Sequence, residues 1–158
     1  MNPPAGPSPH DVAPPPQGVL VSSQQSRGAF ALMEYDIPPR TLVAPLHTHR
    51  REDEYSYVVT GTLGAQIGDR TLLADAHELI AKHRGIAHTL WNPSDSPTRV
   101  LELIAPGGFE RCLQELYRPG KRSPAELERL RSEYEIEMDA DSVSTLLHRH
   151  GLSQLATG

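Results

Sequence analysis

Between Val19 and Pro106 the apolar residues fall in short runs of roughly four to eight residues, separated by glycine, proline and an Asp-Arg pair. Runs of this length, broken by turn-forming residues, are typical of short antiparallel strands that form a barrel or a sandwich. Two tight reversals are predicted at residues 60–62 and 68–70, because glycine tolerates the positive φ that such turns need. The predicted strands are 19–23, 29–36, 41–46, 55–60, 63–67, 70–73, 77–81, 87–91 and 98–105.

The periodicity becomes helical after Pro106-Gly107-Gly108. Residues 108–117 carry apolar side chains at the i, i+3, i+4 and i+7 positions of one helical face. A second helix is predicted to begin at Ser123, which can cap it, with proline in the first turn and Glu126 placed to reach back. A third is predicted for 141–150, ending at Gly151 in a left-handed C-cap.

These patterns divide the chain into three parts. Residues 1–18 contain seven prolines and no periodicity, which predicts a flexible proline-rich leader. Residues 19–106 are the predicted all-β domain, and 107–158 are a predicted C-terminal helical extension. A chain of 158 residues can bury one sizeable core.

Composition excludes several classes of function. The net charge of −5 argues against the basic surface that nucleic-acid binding requires, so the expected partner is a small molecule. The single cysteine, Cys112, cannot form an internal disulfide, and no apolar run approaches the roughly 20 residues that span a bilayer. We therefore expect a cytoplasmic protein that contacts neither nucleic acid nor membrane; Cys112 is expected to be buried.

Histidine is concentrated in the predicted strands, where five of the eight histidines lie between His47 and His88. Residues two apart in a strand share a face, so His47 and His49 project to one side. A turn after His49 can return Glu54 to the same point, and His88 can join from a neighbouring strand. Three imidazoles and a carboxylate suit one divalent transition metal ion, namely Fe, Mn, Co, Ni, Cu or Zn. The alternatives are that the histidine pair is exposed and that Glu54 belongs to a solvated acidic turn.

The order of these residues resembles the two sequence motifs of the cupin superfamily. Residues 47–54, followed after six residues by Gly61, are similar to the first motif, whose two histidines and glutamate are metal ligands. Gly85, His88 and Asn92 have the spacing of the second motif. The family's leading glycine falls on His77 and its proline on His83, so these two positions depart from the pattern. The segment from 107 to about 137 also resembles the helical extension of small cupins related to quercetin dioxygenases.

The resemblance implies a cupin-type antiparallel β-barrel, or jelly roll, with His47, His49, Glu54 and His88 as ligands of one metal ion. It also implies a homodimer. A metal with two exchangeable positions suits a dioxygenase acting on an enolic or aromatic, flavonol- or polyketide-like molecule, with Glu54 as the catalytic base. A non-redox cyclase or isomerase of specialised metabolism, and a non-catalytic binding module, remain alternatives. His77 and His83 are either additional ligands or proton carriers, or loop residues near the rim.

Overall fold

A computed structural model describes residues 18–156, which form twelve strands and three helices. The strands are β1 (Val19–Val21), β2 (Ala31–Ile37), β3 (Thr41–Leu42), β4 (Leu46–His49), β5 (Asp53–Thr60), β6 (Thr62–Ile67), β7 (Arg70–Asp75), β8 (Leu79–Lys82), β9 (His88–Trp91), β10 (Thr98–Ala105), β11 (Ile136–Asp139) and β12 (Gln154–Leu155). The helices are α1 (Glu110–Leu116), α2 (Pro124–Glu133) and α3 (Ser142–His150). The predicted leader lies outside the described residues, apart from its last residue.

The strands form two sheets, as expected for a jelly roll. One sheet has the order β1-β2-β10-β5-β8; the other has the order β11-β4-β9-β3-β12, with β6 pairing β9 and β7 pairing β6. Every pairing is antiparallel except that of β12 with β3. Buried side chains from both sheets, among them Val58, Leu63, Leu90 and Val100, make one core cluster between them. The predicted all-β fold is confirmed, although no single closed barrel is detected within residues 18–156.

All nine predicted strands contain β-structure, but the predicted strand 41–46 is divided. Pro45 lies between β3 and β4 and has no N–H to donate to a ladder. The interruption separates Leu42, which pairs with Trp91, from His47, which pairs with His88. The division therefore lets a short segment contact β9 at both of its ends.

The C-terminal extension contains the three predicted helices. The capping box of α2 is present, with Ser123 and Glu126 bonded reciprocally, and α3 ends at Gly151 with a φ of +61°. The extension is not only helical, because β11 pairs with β4 and β12 pairs with β3. It is thus continuous with the sheet that carries the histidines. None of the described helices is long and apolar enough to cross a bilayer.

Candidate metal centre

The three histidines of the predicted site come from one sheet, and the glutamate comes from the other. His47 and His49 lie on β4, and His88 lies directly opposite His47 on β9. Glu54 lies on β5, which runs in the facing sheet. The four side chains therefore meet in the space between the sheets, where Glu54, His49 and His88 are buried.

One donor atom from each of the four side chains lies within 4.8 Å of all the others. The Nε2 atom of His88 is 3.1 Å from Oε2 of Glu54, and the Nε2 atom of His49 is 3.5 Å from Oε1. Ligand atoms bound about 2.0–2.2 Å from a metal are separated by at most about 4.4 Å. A shift of a few tenths of an ångström would bring all four to a common ion. The alternatives of an exposed histidine pair and of a solvated Glu54 do not hold, since His49 and Glu54 are buried and His47 is partly so.

Backbone carbonyls orient two of the imidazoles for this purpose. The Nδ1 atom of His47 lies 2.8 Å from the Pro45 carbonyl, and that of His88 lies 3.0 Å from the Ile86 carbonyl. Because a carbonyl only accepts, each Nδ1 carries the proton and donates it. Each Nε2 is then left unprotonated and available to a cation.

His49 gives the clearest indication that the four groups are arranged to hold a cation. Both of its ring nitrogens are buried and lack a hydrogen-bond partner, which is costly for polar atoms. Its Nδ1 is 3.7 Å from the buried Glu52 carboxylate, slightly beyond hydrogen-bonding range. A metal ion on Nε2 would satisfy one nitrogen, and a small shift toward Glu52 would satisfy the other. The donor set and this unpartnered imidazole fit a divalent transition metal, whose identity they leave open.

The charges around the centre also favour cation binding. Burial, together with the nearby His88 and His49, lowers the pKa of His47 from its usual 6.5 to about 3, so its imidazole is neutral near pH 7. Burial alone would raise the pKa of Glu54, but the adjacent Lys82 ammonium holds it well below its usual range. Neutral imidazoles and an ionised carboxylate are the forms that bind a metal.

A buried polar chain beside the centre was not predicted from the sequence. The Lys82 ammonium on β8 lies 3.1 Å from Glu54 and 2.8 Å from Glu102 on β10. Glu102 also accepts hydrogen bonds from Ser56, at 2.7 Å, and from the Tyr35 hydroxyl, at 3.1 Å. Burial lowers the pKa of Lys82, but its two carboxylate partners more than compensate and the pKa is raised. The only signal for this chain in the sequence was a charged residue beside an apolar run, namely Lys82 at the end of β8 and Glu102 within β10.

The four donor groups open into an apolar cavity of about 410 Å³. The sheets contribute side chains such as Met33, Val43 and Leu90 to its wall. The C-terminal extension contributes further wall residues, which include Phe109, Cys112, Leu113, Leu116, Ile136 and Met138. The Phe109 ring also packs edge-on against His49, with ring centroids 4.4 Å apart. Sequence periodicity placed the first four on the helical face but did not predict that this face lines a cavity.

The two histidines at the atypical motif positions lie away from the four donors. His77 adopts a φ of +73°, the left-handed conformation that glycine favours, and its Nδ1 is 3.1 Å from the Tyr57 hydroxyl. His83 is exposed and lies 3.8 Å from Asp53. The turn before His88 forms without the proline, because Gly85 takes a φ of +77° and donates to the His49 carbonyl.

The remaining motif residues hold the backbone around the centre. Gly61 has a φ of +87°, and a Cβ there would lie 2.7 Å from Oγ1 of Thr98. Asn92 is fully buried at the end of β9, and its amide nitrogen donates to the carbonyls of Ile37, Pro38 and Ser96. These residues fix the ends of the strands that carry the ligands.

Comparison with known proteins agrees with this architecture. Residues 33–104 match the family model described as a cupin domain. No curated protein matches the chain in a sequence search.

Several solved structures are similar to the chain. An uncharacterised conserved protein with a double-stranded beta-helix domain from Klebsiella pneumoniae has a TM-score of 0.50 and 18% identity, over 57% of this chain and 75% of that chain. KdgF from Halomonas sp. has a TM-score of 0.49 and 15% identity, over 53% and 74%. A sugar phosphate isomerase from a cupin superfamily, from Silicibacter pomeroyi, has a TM-score of 0.48 and 19% identity, over 55% and 57%. The first similarity shows the fold alone.

Proposed function

We propose that this chain, whose residues 33–104 match the cupin-domain family model, is a metal-dependent enzyme acting on an apolar small molecule. The observation that carries the proposal is a buried cluster of three histidines and one glutamate at the wall of a cavity of about 410 Å³. Cavities of roughly 300–1,000 Å³ with few polar groups are typical of small-molecule sites. Four protein ligands leave an octahedral metal two positions for exchangeable groups.

The reaction that we propose is dioxygenation of an enolic or aromatic molecule, flavonol- or polyketide-like in its ring system. A metal ion held by His47, His49, Glu54 and His88 would supply Lewis-acid activation of a substrate oxygen and electron transfer to O₂. Both oxygen atoms enter the product and the substrate provides all the electrons, so no further reductant is needed. The apolar wall excludes water from the reacting ring.

Glu54 is the proposed proton acceptor as well as a ligand. Its pKa is low, so it would take a proton only from a hydroxyl made acidic by the metal. The Lys82 ammonium donates to Oε2 of this carboxylate at 3.1 Å and so fixes its orientation. Glu54→Gln is expected to weaken metal binding and to lower the turnover of protein saturated with metal.

The test begins with metal analysis of protein purified without added metal. The metal found is then restored, and 3-hydroxyflavone and a catechol are added without O₂ and afterwards with it. We expect a spectral change on anaerobic addition and one O₂ consumed for each substrate converted. His88→Ala is expected to abolish both, whereas the control His83→Ala, at an exposed position outside the centre, is expected to keep them. Metal-loaded protein that consumes no O₂ with any enolic substrate contradicts the dioxygenase proposal.

A non-redox cyclase or isomerase is the second candidate, and the chain of Lys82, Glu102 and Tyr35 beside Glu54 favours it. These groups can hold and transfer protons at the cavity wall without an oxidant. Turnover by the zinc-loaded protein under strict anaerobiosis would support this reaction, and a strict need for O₂ would exclude it. Tight binding of a ligand that is never converted would instead indicate a non-catalytic binding protein.

We further propose a cytoplasmic homodimer that pairs through the outer face of the β1-β2-β10-β5-β8 sheet. On this face Tyr57 is flanked by Leu101 and Leu79, and Tyr55 by Leu103. Leu79 is 57% exposed, which is costly for a side chain that water does not solvate well. Leu79→Glu is expected to convert a dimer into a monomer in analytical ultracentrifugation, with the β-sheet circular dichroism unchanged. A parent protein that sediments as a monomer at high concentration contradicts this assembly.

A further inference from the structure

Few charged side chains are buried at the cavity wall. Within the described part of the chain, the buried charged residues of the lining are Glu54, Glu102 and Lys82, and no arginine contributes. Proteins recognise phosphates and carboxylates mainly with arginine or lysine side chains that are free to donate. Apart from the metal centre, this wall offers an anion little that could hold it.

The Lys82 side chain is already paired twice. Its ammonium contacts Glu102 at 2.8 Å and Glu54 at 3.1 Å, and the side chain is 3% exposed. A divalent ion on Glu54 would leave Lys82 and Glu102 as a neutral pair, and without the ion the two carboxylates outweigh the ammonium. In either case an anionic ligand approaching Lys82 meets no free positive charge.

Glu102 is the member of this group that metal binding does not require. Its carboxylate is buried, is not one of the four donors, and accepts hydrogen bonds from Lys82, Ser56 and Tyr35. Burying a charge is costly even when it is paired. If Lys82 were needed only to orient Glu54, that ion pair would be complete without a second carboxylate.

We propose that Glu102 determines substrate specificity: it neutralises Lys82, so that the wall beyond the metal centre offers no free cation and the cavity favours uncharged apolar molecules over those with an anionic group away from the metal. This inference rests on the proposed function, because it takes the cavity to be the substrate site. The substrate is then a neutral aromatic or aliphatic molecule whose one ionisable oxygen faces the metal centre. Substrates that carry a phosphate or carboxylate away from the metal centre are disfavoured.

A matched pair of fluorescent probes tests the inference on the full-length, metal-free protein. N-phenyl-1-naphthylamine is uncharged, and 1-anilinonaphthalene-8-sulfonate adds one sulfonate to the same ring system. We expect the parent protein to bind the neutral probe about tenfold more tightly, or better. In Glu102→Gln the sulfonate probe should bind about tenfold more tightly than in the parent, because the negative charge that neutralises Lys82 has been removed. The affinity for the neutral probe should change by less than about twofold.

Two variants control for other causes. Glu115→Gln makes the same chemical change at a surface residue that pairs with Arg129, and it should alter neither affinity. Leu113→Trp fills the cavity from α1 and should weaken the binding of both probes, which locates them there.

Equal affinity of the parent for the two probes overturns the inference, and this comparison needs no variant. An unchanged sulfonate affinity in a folded Glu102→Gln also overturns it, as does probe binding that Leu113→Trp leaves intact. The experiment uses no metal and no turnover. Failure of the proposed function, seen as absent metal binding or absent catalysis, is therefore distinguishable from failure of the charge selectivity.

Discussion

The substitution His49→Leu tests whether His49 is a metal ligand or only a packing residue, because the two roles predict different effects of metal on stability. The parent buries two ring nitrogens without partners, and each unsatisfied buried polar group costs about 1–3 kcal/mol. Leucine has a similar volume and keeps the contact with Phe109. In EDTA we therefore expect the variant to be as stable as the parent, or more stable by about 1–2 kcal/mol.

In the presence of Zn²⁺ we expect the parent to be more stable than His49→Leu, the reverse of the order in EDTA. At free Zn²⁺ about 1,000-fold above its dissociation constant, binding adds about 4 kcal/mol to the stability of the parent. If loss of one ligand weakens binding about 100-fold, the same Zn²⁺ concentration adds only about 1.4 kcal/mol to the variant. The variant should then be less stable than the parent by about 1–3 kcal/mol.

The assay is urea unfolding followed by fluorescence of Trp91, the single tryptophan, which is buried in the fold. His83→Leu is the control, since that side chain is exposed and outside the donor cluster. A difference in unfolding free energy between His49→Leu and the parent that is the same in EDTA and in Zn²⁺ would refute the reasoning. It would mean that His49 contributes to packing alone.

Three further outcomes are expected. Gly64→Val should destabilise the fold by about 1–3 kcal/mol in urea unfolding, because its Cβ would lie 2.1 Å from Nε1 of Trp91; unchanged stability would contradict the packing. Burial raises the pKa of the Cys112 thiol to about 12, so iodoacetamide at pH 8 should modify it only after unfolding, as mass spectrometry would detect. The folded pKa of His47 is about 3, against 6.5 when unfolded, so the unfolded state binds more protons between these values. The unfolding free energy of the metal-free parent should fall as pH drops from 6.5 toward 3, and His47→Leu should reduce that slope.

The ligand set could be predicted from the sequence because its spacing matches strand geometry. Two histidines two residues apart must share a face in a strand, and Glu54 follows after one turn. His88 needed the motif, since no local rule indicates that β9 pairs with β4 at His47. The structure brings these four together as predicted, and their role as metal ligands stays a prediction.

Glu102 shows why the rest of the site was missed. Both faces of the predicted strand 98–105 carry apolar residues, with Val100 and Ile104 on one face and Leu101 and Leu103 on the other. Periodicity therefore could not decide which face is inward, and a lone glutamate is usually assigned to solvent. Burial patterns place Val100, Glu102 and Ile104 inside. The short strand β11 was missed for a related reason, because four residues between two helical patterns are too few to establish a period.

The division of the cavity between the two parts of the chain bears on where specificity lies. All four donors fall within 33–104, the part that matches the cupin domain, and so do Lys82 and Glu102. Much of the apolar wall comes instead from α1 and β11, through residues such as Leu113 and Met138. β11 also pairs along β4, with Met138 opposite His47, so the extension contacts the ligand strand directly. A cupin domain with the same ligands but a different extension would have a differently shaped cavity. The metal ligands of one such protein can therefore be inferred from another, whereas its substrate cannot.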